Sequence, residues 1–216
     1  MTKWAYAVYY AGVELVEYPQ AEATDPKHEA LLEASVAVFA RYGFRKTSMD
    51  EVARAAGVSR QGLYLLFADK EELFRRAVTY QLNKQLGAAV LALANPSAPL
   101  EARLISAGDE WGGRFVGLMG GDAADLMCAS TSMAGETLMH FQARFESALT
   151  QAIACSPLAD SCALLGVTPS EVARTLHATI RGLKHSCKTR LEFVQGMTAA
   201  ARMFCAPLAS TARLGP

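Results

Sequence analysis

The polar side chains best suited to chemistry cluster at the start of one short predicted helix. They are Ser59, Arg60, Gln61, Gly62 and Tyr64. Arginine and glutamine can form paired hydrogen bonds with the major-groove edges of guanine and adenine. A glycine lets the backbone approach closely, and a tyrosine can offer its hydroxyl to a phosphate and its ring to a thymine methyl group. The pattern therefore predicts a helix that reads DNA base pairs.

A second set of cations and hydroxyl groups flanks this helix and is suited to binding phosphate. It consists of Arg45, Lys46, Thr47, Ser48 and Lys70. Lysine and arginine neutralise backbone phosphates, and the amide end of a helix accepts a phosphate oxygen. We therefore expect these residues to hold the DNA backbone while the helix after Ser59 reads the bases.

Helix start and stop signals place the reading helix between defined neighbours. Asp25-Pro26 predicts the start of a first helix that ends at Gly43, and Ser48 with Glu51 forms an S-x-x-E capping box for a second. Gly57 marks the turn before the third helix. Asp69 caps a fourth, which we expect to run to about residue 93. Two short helices joined by a tight turn form a helix-turn-helix.

Five further helices are predicted beyond the fourth, and no segment shows strand alternation. Their expected ranges are 99–119, 123–133, 135–154, 168–187 and 189–205, with a loop over 155–167. The fold class is therefore all-α. We expect an N-terminal extension over 1–24, a three-helix DNA-binding domain over 25–75, and a helical ligand-binding and dimerisation domain over 76–216.

The segment from Leu31 to Phe74 resembles the DNA-binding domain of the tetracycline-repressor (TetR) family of bacterial regulators. The matching pieces are LLEASVAVFARYGF, TSMDEVARAAGVSRQGLY and F-x-D-K-E-E-L-F. The resemblance implies an all-α homodimer with its recognition helix at about 60–66 and with Lys70 near phosphate. Leu66 and Ala68 depart from the family pattern, which often has His or Tyr and then Pro at these positions.

The middle helices are rich in methionine and aromatic residues, which suit an adaptable pocket for a small apolar or aromatic effector. The candidate lining residues are Trp111, Phe115, Met119, Met127, Met133, His140 and Phe141. An ordinary core is the alternative reading of the same residues.

The last two predicted helices carry more apolar surface than one chain usually buries, so we expect them to form a four-helix dimer interface. The candidate interface residues are Leu176, Ile180, Leu183, Phe193, Met197, Ala200 and Phe204. A purely intramolecular core is again the alternative.

Composition narrows the remaining function classes. Lys and Arg total 21 and Asp and Glu total 21, which argues against a protein that coats nucleic acid by bulk charge. The five cysteines lack CxxC spacing, so we expect no zinc site and a reducing, cytoplasmic setting, although Cys155 and Cys162 could pair on oxidation. There is no H-E-x-x-H, G-x-S-x-G or phosphate-binding loop, so we expect no enzyme, no cofactor and no metal.

The sequence predicts a ligand-responsive transcriptional repressor that binds a palindromic operator as a homodimer. A constitutive DNA-binding protein of the same fold, without an effector, is the first alternative. A ligand-binding or enzymatic protein with an idle DNA-binding module is the second.

Overall fold

The computed structural model describes residues 25–117 and 123–211, and all of the regular secondary structure in these residues is helical. The elements are α1 (Pro26–Lys46), α2 (Met49–Ala55), α3 (Arg60–Leu66), α4 (Lys70–Ala94), α5 (Leu100–Trp111), a 3-10 turn (Gly113–Phe115), α6 (Ala123–Ala154), α7 (Leu158–Leu165), α8 (Pro169–Ser186) and α9 (Arg190–Thr211). No strand occurs among the described residues, so the all-α prediction is confirmed. The predicted N-terminal extension and Met119 lie outside the described residues.

The predicted caps of α1, α2 and α4 are present. The side chain of Asp25 accepts a hydrogen bond from the Lys27 amide, and Ser48 forms the full capping box with Glu51. Asp69 accepts from the Glu72 amide at 2.7 Å. Gly43 breaks α1 at φ 80°, a backbone conformation that favours glycine. These local bonds fix where each helix begins and how sharply the chain turns between them.

The buried side chains form two cores. The first, which we call the reading core, joins α1 to α4 and contains Leu31, Leu32, Val38, Phe39, Met49, Val52, Ala53, Leu63, Phe67, Leu73, Phe74 and Ala77, together with Ala129 from α6. The second, which we call the bundle core, is built from the later part of α4 and from α5 to α9, and includes Leu86, Leu104, Trp111, Phe141, Phe145, Leu176, Ile180, Phe193 and Met197.

Two helices run through both cores. Helix α4 contributes Phe74 to the reading core and Leu86 to the bundle core. Helix α6 does the same with Ala129 and Phe145, and it bends between them at Ala134, where φ is −136° and ψ is 22°. The two cores are therefore physically joined by α4 and α6.

The bundle differs from the sequence prediction at four places. Helix α5 ends at Trp111 rather than at 119, because a glycine pair follows and Phe193 packs onto it. The two helices predicted over 123–154 are one helix, and the predicted break is the bend at Ala134. Helix α9 continues to Thr211, since burial of Ala201 and Cys205 anchors the turns before Pro207.

The fourth difference is α7, which lies in the segment predicted to be a loop. Leu158 and Cys162 are buried in the bundle core, and this burial stabilises a helix too short to be stable alone. Its N-cap residue, Pro157, makes no side-chain cap bond, but the Leu158 amide donates to the Ser156 hydroxyl at 3.3 Å, and Gly166 ends the helix with φ 68°. With only eight residues, α7 is too short for apolar periodicity to indicate it.

No single helix among the described residues is long and apolar enough to cross a membrane. The bent pair formed by 125–154 and 158–165 meets the length and composition requirement only when the two are taken together.

Gly113 is expected to tolerate no side chain, because it lies against the ring of Phe193. A Cβ atom there would be 2.7 Å from Phe193 Cδ1 and would also collide with Asp109, which pairs with Arg190. Gly113→Ala should lower the free energy of unfolding by about 1–3 kcal/mol. Gly87→Ala is the matched control: nothing lies within 4 Å of its Cβ position, and it should raise stability by about 0.5–1 kcal/mol. Urea unfolding measures the free energy of unfolding of both variants. Changes of the same sign in the two variants would contradict the packing argument.

Candidate nucleic-acid interface

Helix α3 is held by its inner face and leaves its outer face open to solvent. Leu63 is fully buried in the reading core, and Phe67 at the end of the helix is buried beside it. The Ser59 hydroxyl caps the helix by accepting a hydrogen bond from the Gly62 amide at 3.0 Å. The exposed residues of this helix are Arg60, Gln61, Tyr64, Leu65 and Leu66. The face that sequence analysis predicted to read DNA is therefore accessible.

Arg60 is positioned by two contacts on the outer surface. Its Nη1 lies 3.0 Å from Asp50 Oδ2 of α2, and its guanidinium carbon lies 5.6 Å from the centre of the Tyr64 ring. Both partners are exposed, so the ion pair contributes little to stability. The two contacts together hold the guanidinium at the outer surface of α3.

Thr47 and Ser48 have roles inside the chain. Thr47 is buried and its hydroxyl, which was predicted to hold a phosphate, donates to the Gly43 carbonyl at 2.7 Å inside the chain. Ser48 remains exposed, but its hydroxyl donates to Glu51 Oε2 at 2.9 Å. Hydrogen bonds from the Ser48 backbone and side chain lower the pKa of the Glu51 carboxyl. The first turn of α2 is therefore closed by its own cap.

Lys70 joins two helices through hydrogen bonds to backbone carbonyls. Its ammonium donates to the carbonyls of Phe44, Arg45 and Thr47 at 3.0, 3.4 and 2.9 Å, and it lies 4.4 Å from the centre of the Phe44 ring. An ammonium group has three donors, and all three are used here. The resemblance implied a lysine near phosphate, whereas the structure shows Lys70 as a bridge between the end of α1 and the start of α4.

Arg45 and Asp125 connect the reading core to α6. The Arg45 amide donates to Asp125 Oδ2 at 2.9 Å, and Arg45 Nε lies 3.2 Å from Asp125 Oδ1. The Asp125 side chain is only 9% exposed, whereas that of Arg45 is 86% exposed. Lys46 is exposed beside it. The Arg45 side chain is therefore placed at the surface by α6, the helix that also enters the bundle core. No local pattern could have indicated Asp125, because it is 80 residues away.

The predicted effector-pocket residues do not converge on one cavity. Met127 and His140 are exposed, Met133 packs against the reading core, and Phe141 is fully buried in the bundle core. The reason is that α6 presents different faces to different neighbours along its length, on either side of the bend at Ala134.

An open groove of about 500 Å³ does lie between α1 and α4, at the junction of the two cores. Phe115, one of the predicted pocket residues, forms part of its wall. The other lining residues are Glu33, Val36, Ala37, Ala40, Arg41, Gln81 and Lys84. Lys84 pairs with Glu33 at its edge, and this pairing lowers the pKa of the Glu33 carboxyl.

A chain of polar contacts, not predicted from the sequence, connects α5, α6 and α8 and runs from the buried Trp111 and His177 to the partly exposed Glu146. The Trp111 indole donates to His177 Nε2 at 3.3 Å, and His177 Nδ1 lies 2.6 Å from Glu146 Oε1. Because an indole N–H can only donate, Nε2 must accept, and the proton therefore lies on Nδ1 and points to the carboxylate. Phe145 stacks on the Trp111 ring at 4.6 Å. The signal in the sequence was a histidine on the apolar stripe of α8.

Several residues predicted for a dimer interface are inside the chain. Leu176, Ile180, Phe193 and Met197 are each at most 1% exposed and belong to the bundle core. They cannot contact a partner without unpacking that core, so this part of the prediction is wrong. Leu183, Ala200 and Phe204 are partly exposed. The apolar stripes were identified correctly, but they pack within the chain.

The five cysteines are all free thiols: Cys128 and Cys155 are exposed, Cys187 is partly exposed, and Cys162 and Cys205 are buried. Burial raises the pKa of the Cys205 thiol to about 11 and also raises that of Cys162. Within the described residues, no three His, Cys, Asp or Glu side chains form a group that could hold a metal ion.

Comparison with known proteins connects this geometry to bacterial regulators. Residues 31–77 match the family model for bacterial regulatory proteins of the tetR family. Over 65 residues, the chain is 42% identical to the uncharacterized HTH-type transcriptional regulator YfiR of Bacillus subtilis. The aligned segment covers 30% of this chain and 32% of YfiR. Over 83 residues, it is 32% identical to the HTH-type transcriptional regulator RutR of Escherichia coli. This aligned segment covers 38% of this chain and 39% of RutR. The matched segments thus span about a third of these relatives.

Solved structures extend the similarity of fold to most of the chain. A transcriptional regulator from Rhodococcus sp. RHA1 has a TM-score of 0.62 at 18% identity, covering 82% of this chain and 95% of that one. Reduced NemR of Escherichia coli has a TM-score of 0.64 at 15% identity, covering 82% and 97%. At these identities the likeness concerns the fold alone.

Proposed function

Because this chain belongs to the TetR family of bacterial regulatory proteins, we propose that it regulates transcription by binding a palindromic operator as a homodimer. The observation that carries the proposal is the outer face of α3, where Arg60, Gln61 and Tyr64 are exposed on a helix anchored by Leu63. A helix of this size presented by a helix-turn-helix enters the major groove. Such a protein acts where the chromosome lies, in the bacterial cytoplasm.

The dimer face we propose is the outward side of α8 and α9. It is supported by exposed apolar residues and small residues on neighbouring turns, which let helices approach closely. The residues are Ala178 and Gly182 on α8 and Leu191, Ala199 and Met203 on α9. Leu191 is 67% exposed and Met203 is 79% exposed, which is costly in a monomer. Two copies of this helix pair would form a four-helix contact, and Leu183 would lie at its edge.

Regulation by a small apolar or aromatic effector is the second part of the proposal. It is supported by the two helices, α4 and α6, that join the bundle core to the reading core, and by the groove beside Phe115. A ligand that changed the packing of either helix would change the separation of the two reading helices in the dimer. Release of the operator on ligand binding would make the protein a repressor.

The test of the proposal is selection of bound fragments from random duplex DNA by the purified protein at a stated salt concentration. Enrichment of one palindromic motif, with a dimeric mass by sedimentation, is the expected result. Failure to enrich any DNA would refute the function, and a monomeric mass at micromolar concentration would refute the dimer. Compounds that bind the protein are found by the shift they cause in its thermal midpoint. If saturating amounts of these compounds leave the affinity for the motif unchanged, effector control is refuted.

A constitutive DNA-binding protein without an effector is the second candidate. The observation that favours it is the filled bundle core, where Trp111, Phe145 and His177 contact one another. In that case the selected motif would be bound with an affinity that no added compound changes. The same binding experiment therefore separates the two candidates.

A further inference from the structure

The C-terminal end of α3 exposes two leucines that the helix-turn-helix does not need for folding. Leu65 is 81% exposed and Leu66 is 53% exposed, whereas Leu63 and Phe67 beside them are at most 2% exposed. The reading core is therefore complete without Leu65. Leu65 and Leu66 together form an apolar patch beside the exposed polar residues of the same helix, and an apolar patch rimmed by polar residues marks an interaction site.

The position of Leu65 on α3 identifies the contact. Residues four apart lie on the same side of a helix, so Gln61 and Leu65 form one outward ridge and Arg60 and Tyr64 form the next. The first turn of the outer face is polar and its last turn is apolar. A helix lying in the major groove with Arg60 and Gln61 at base edges would bring Leu65 to a neighbouring base pair.

The major groove displays one apolar group, the C5-methyl group of thymine. The other base edges are hydrogen-bond donors and acceptors, and a leucine would leave them unsatisfied. We propose that Leu65 packs against a thymine methyl group in each operator half-site and so selects thymine at that position. The inference rests on the proposed function, since it assumes that α3 lies in the major groove of an operator. It adds one base that α3 recognises through an apolar contact.

The size of the effect follows from the group that is buried. Removing one methyl group from an apolar contact costs about 0.8 kcal/mol, which is about a fourfold loss of affinity. A dimer that makes the contact in both half-sites should lose about fifteenfold when both methyl groups are removed, because the two contacts add.

The experiment replaces thymines of the selected operator, one symmetric pair at a time, by deoxyuridine, which lacks only the methyl group. Affinities are measured for the full-length protein and for Leu65→Ala. We expect one thymine pair whose replacement lowers the operator affinity of the wild-type protein about fifteenfold. The same replacement should leave the operator affinity of Leu65→Ala unchanged. Leu91→Ala is the matched control, because Leu91 is 62% exposed on the bundle part of α4. This variant should lose as much affinity as the wild-type protein when deoxyuridine replaces thymine.

The remaining outcomes overturn the inference in distinguishable ways. If the wild-type protein selects a motif but no thymine pair is coupled to Leu65, the inference fails and the proposed function stands. If Leu65→Ala changes self-association and not the deoxyuridine penalty, the exposed leucine serves a protein contact. If the wild-type protein selects no DNA, both fail. Unchanged circular dichroism and thermal midpoint for Leu65→Ala show that folding is not the cause.

Discussion

Arg60→Ala is expected to weaken binding to the selected operator by about 1–3 kcal/mol per half-site and to relax specificity at one base pair. The side chain of Arg60 is 64% exposed at the first position of α3, and its guanidinium is held near Asp50 and Tyr64. An arginine so placed can form two hydrogen bonds with one guanine. Its loss removes base-specific contacts, so the affinity for the best operator should fall more than the affinity for random DNA.

The measurement compares operator and random duplexes at several salt concentrations. Arg114→Ala is the matched control, because it removes the same charge from an exposed position in the 3-10 turn after α5, outside both α3 and the proposed dimer face. It should leave both affinities unchanged. Asp50→Asn removes the carboxylate charge opposite Arg60 and should raise the affinity for both duplexes, since a negative charge near phosphate opposes binding. An equal loss for operator and random DNA in Arg60→Ala would show that Arg60 contacts phosphate rather than a base.

Phe145→Ala is expected to lower the free energy of unfolding by about 3–5 kcal/mol. Phe145 is fully buried, its ring stacks 4.6 Å from that of Trp111, and its edge meets His177 at 5.5 Å. Truncation would leave a cavity between α5, α6 and α8 and would loosen the hydrogen bonds of Trp111 and Glu146 to His177. Few substitutions in the bundle core should cost more.

Urea unfolding measures this change, and Phe115→Ala is the control. Phe115 carries the same side chain but is partly exposed on the groove between α1 and α4, so its truncation should cost well under half as much. Replacing Trp4 by Phe in every variant makes tryptophan fluorescence report Trp111. A cost for Phe145→Ala no greater than that for Phe115→Ala would contradict the assignment of Phe145 to the centre of the bundle core.

The helix-turn-helix was largely predictable because the residues that begin its helices are neighbours in the sequence. Ser48 with Glu51, Ser59 with Gly62 and Asp69 with Glu72 are each separated by three residues, and each forms a hydrogen bond that starts a helix. Thr168 with Glu171 does the same at the start of α8. Such pairs are visible in the sequence because both partners lie within one turn of a helix.

The bundle was less predictable because apolar periodicity indicates that a face is buried but not what covers it. Phe193 and Met197 were expected to face a second copy of the chain, yet they pack inside the bundle core. Met127 and Phe141 were expected to share a pocket, yet one is exposed and the other buried. An apolar stripe is equally stabilised by either neighbour, so only the packing of the whole chain decides between them.

The sequence by itself determined the all-α fold, the helix-turn-helix, and the polar face of α3 that supports the proposed DNA contact. Only the tertiary structure decided that Lys70 bridges two helices, that Asp125 holds Arg45, and that His177 joins Trp111 to Glu146. The physical reason is distance along the chain. A cap forms between neighbours whatever the rest of the protein does, whereas these three contacts join residues 23 to 80 positions apart and exist only once both cores are packed.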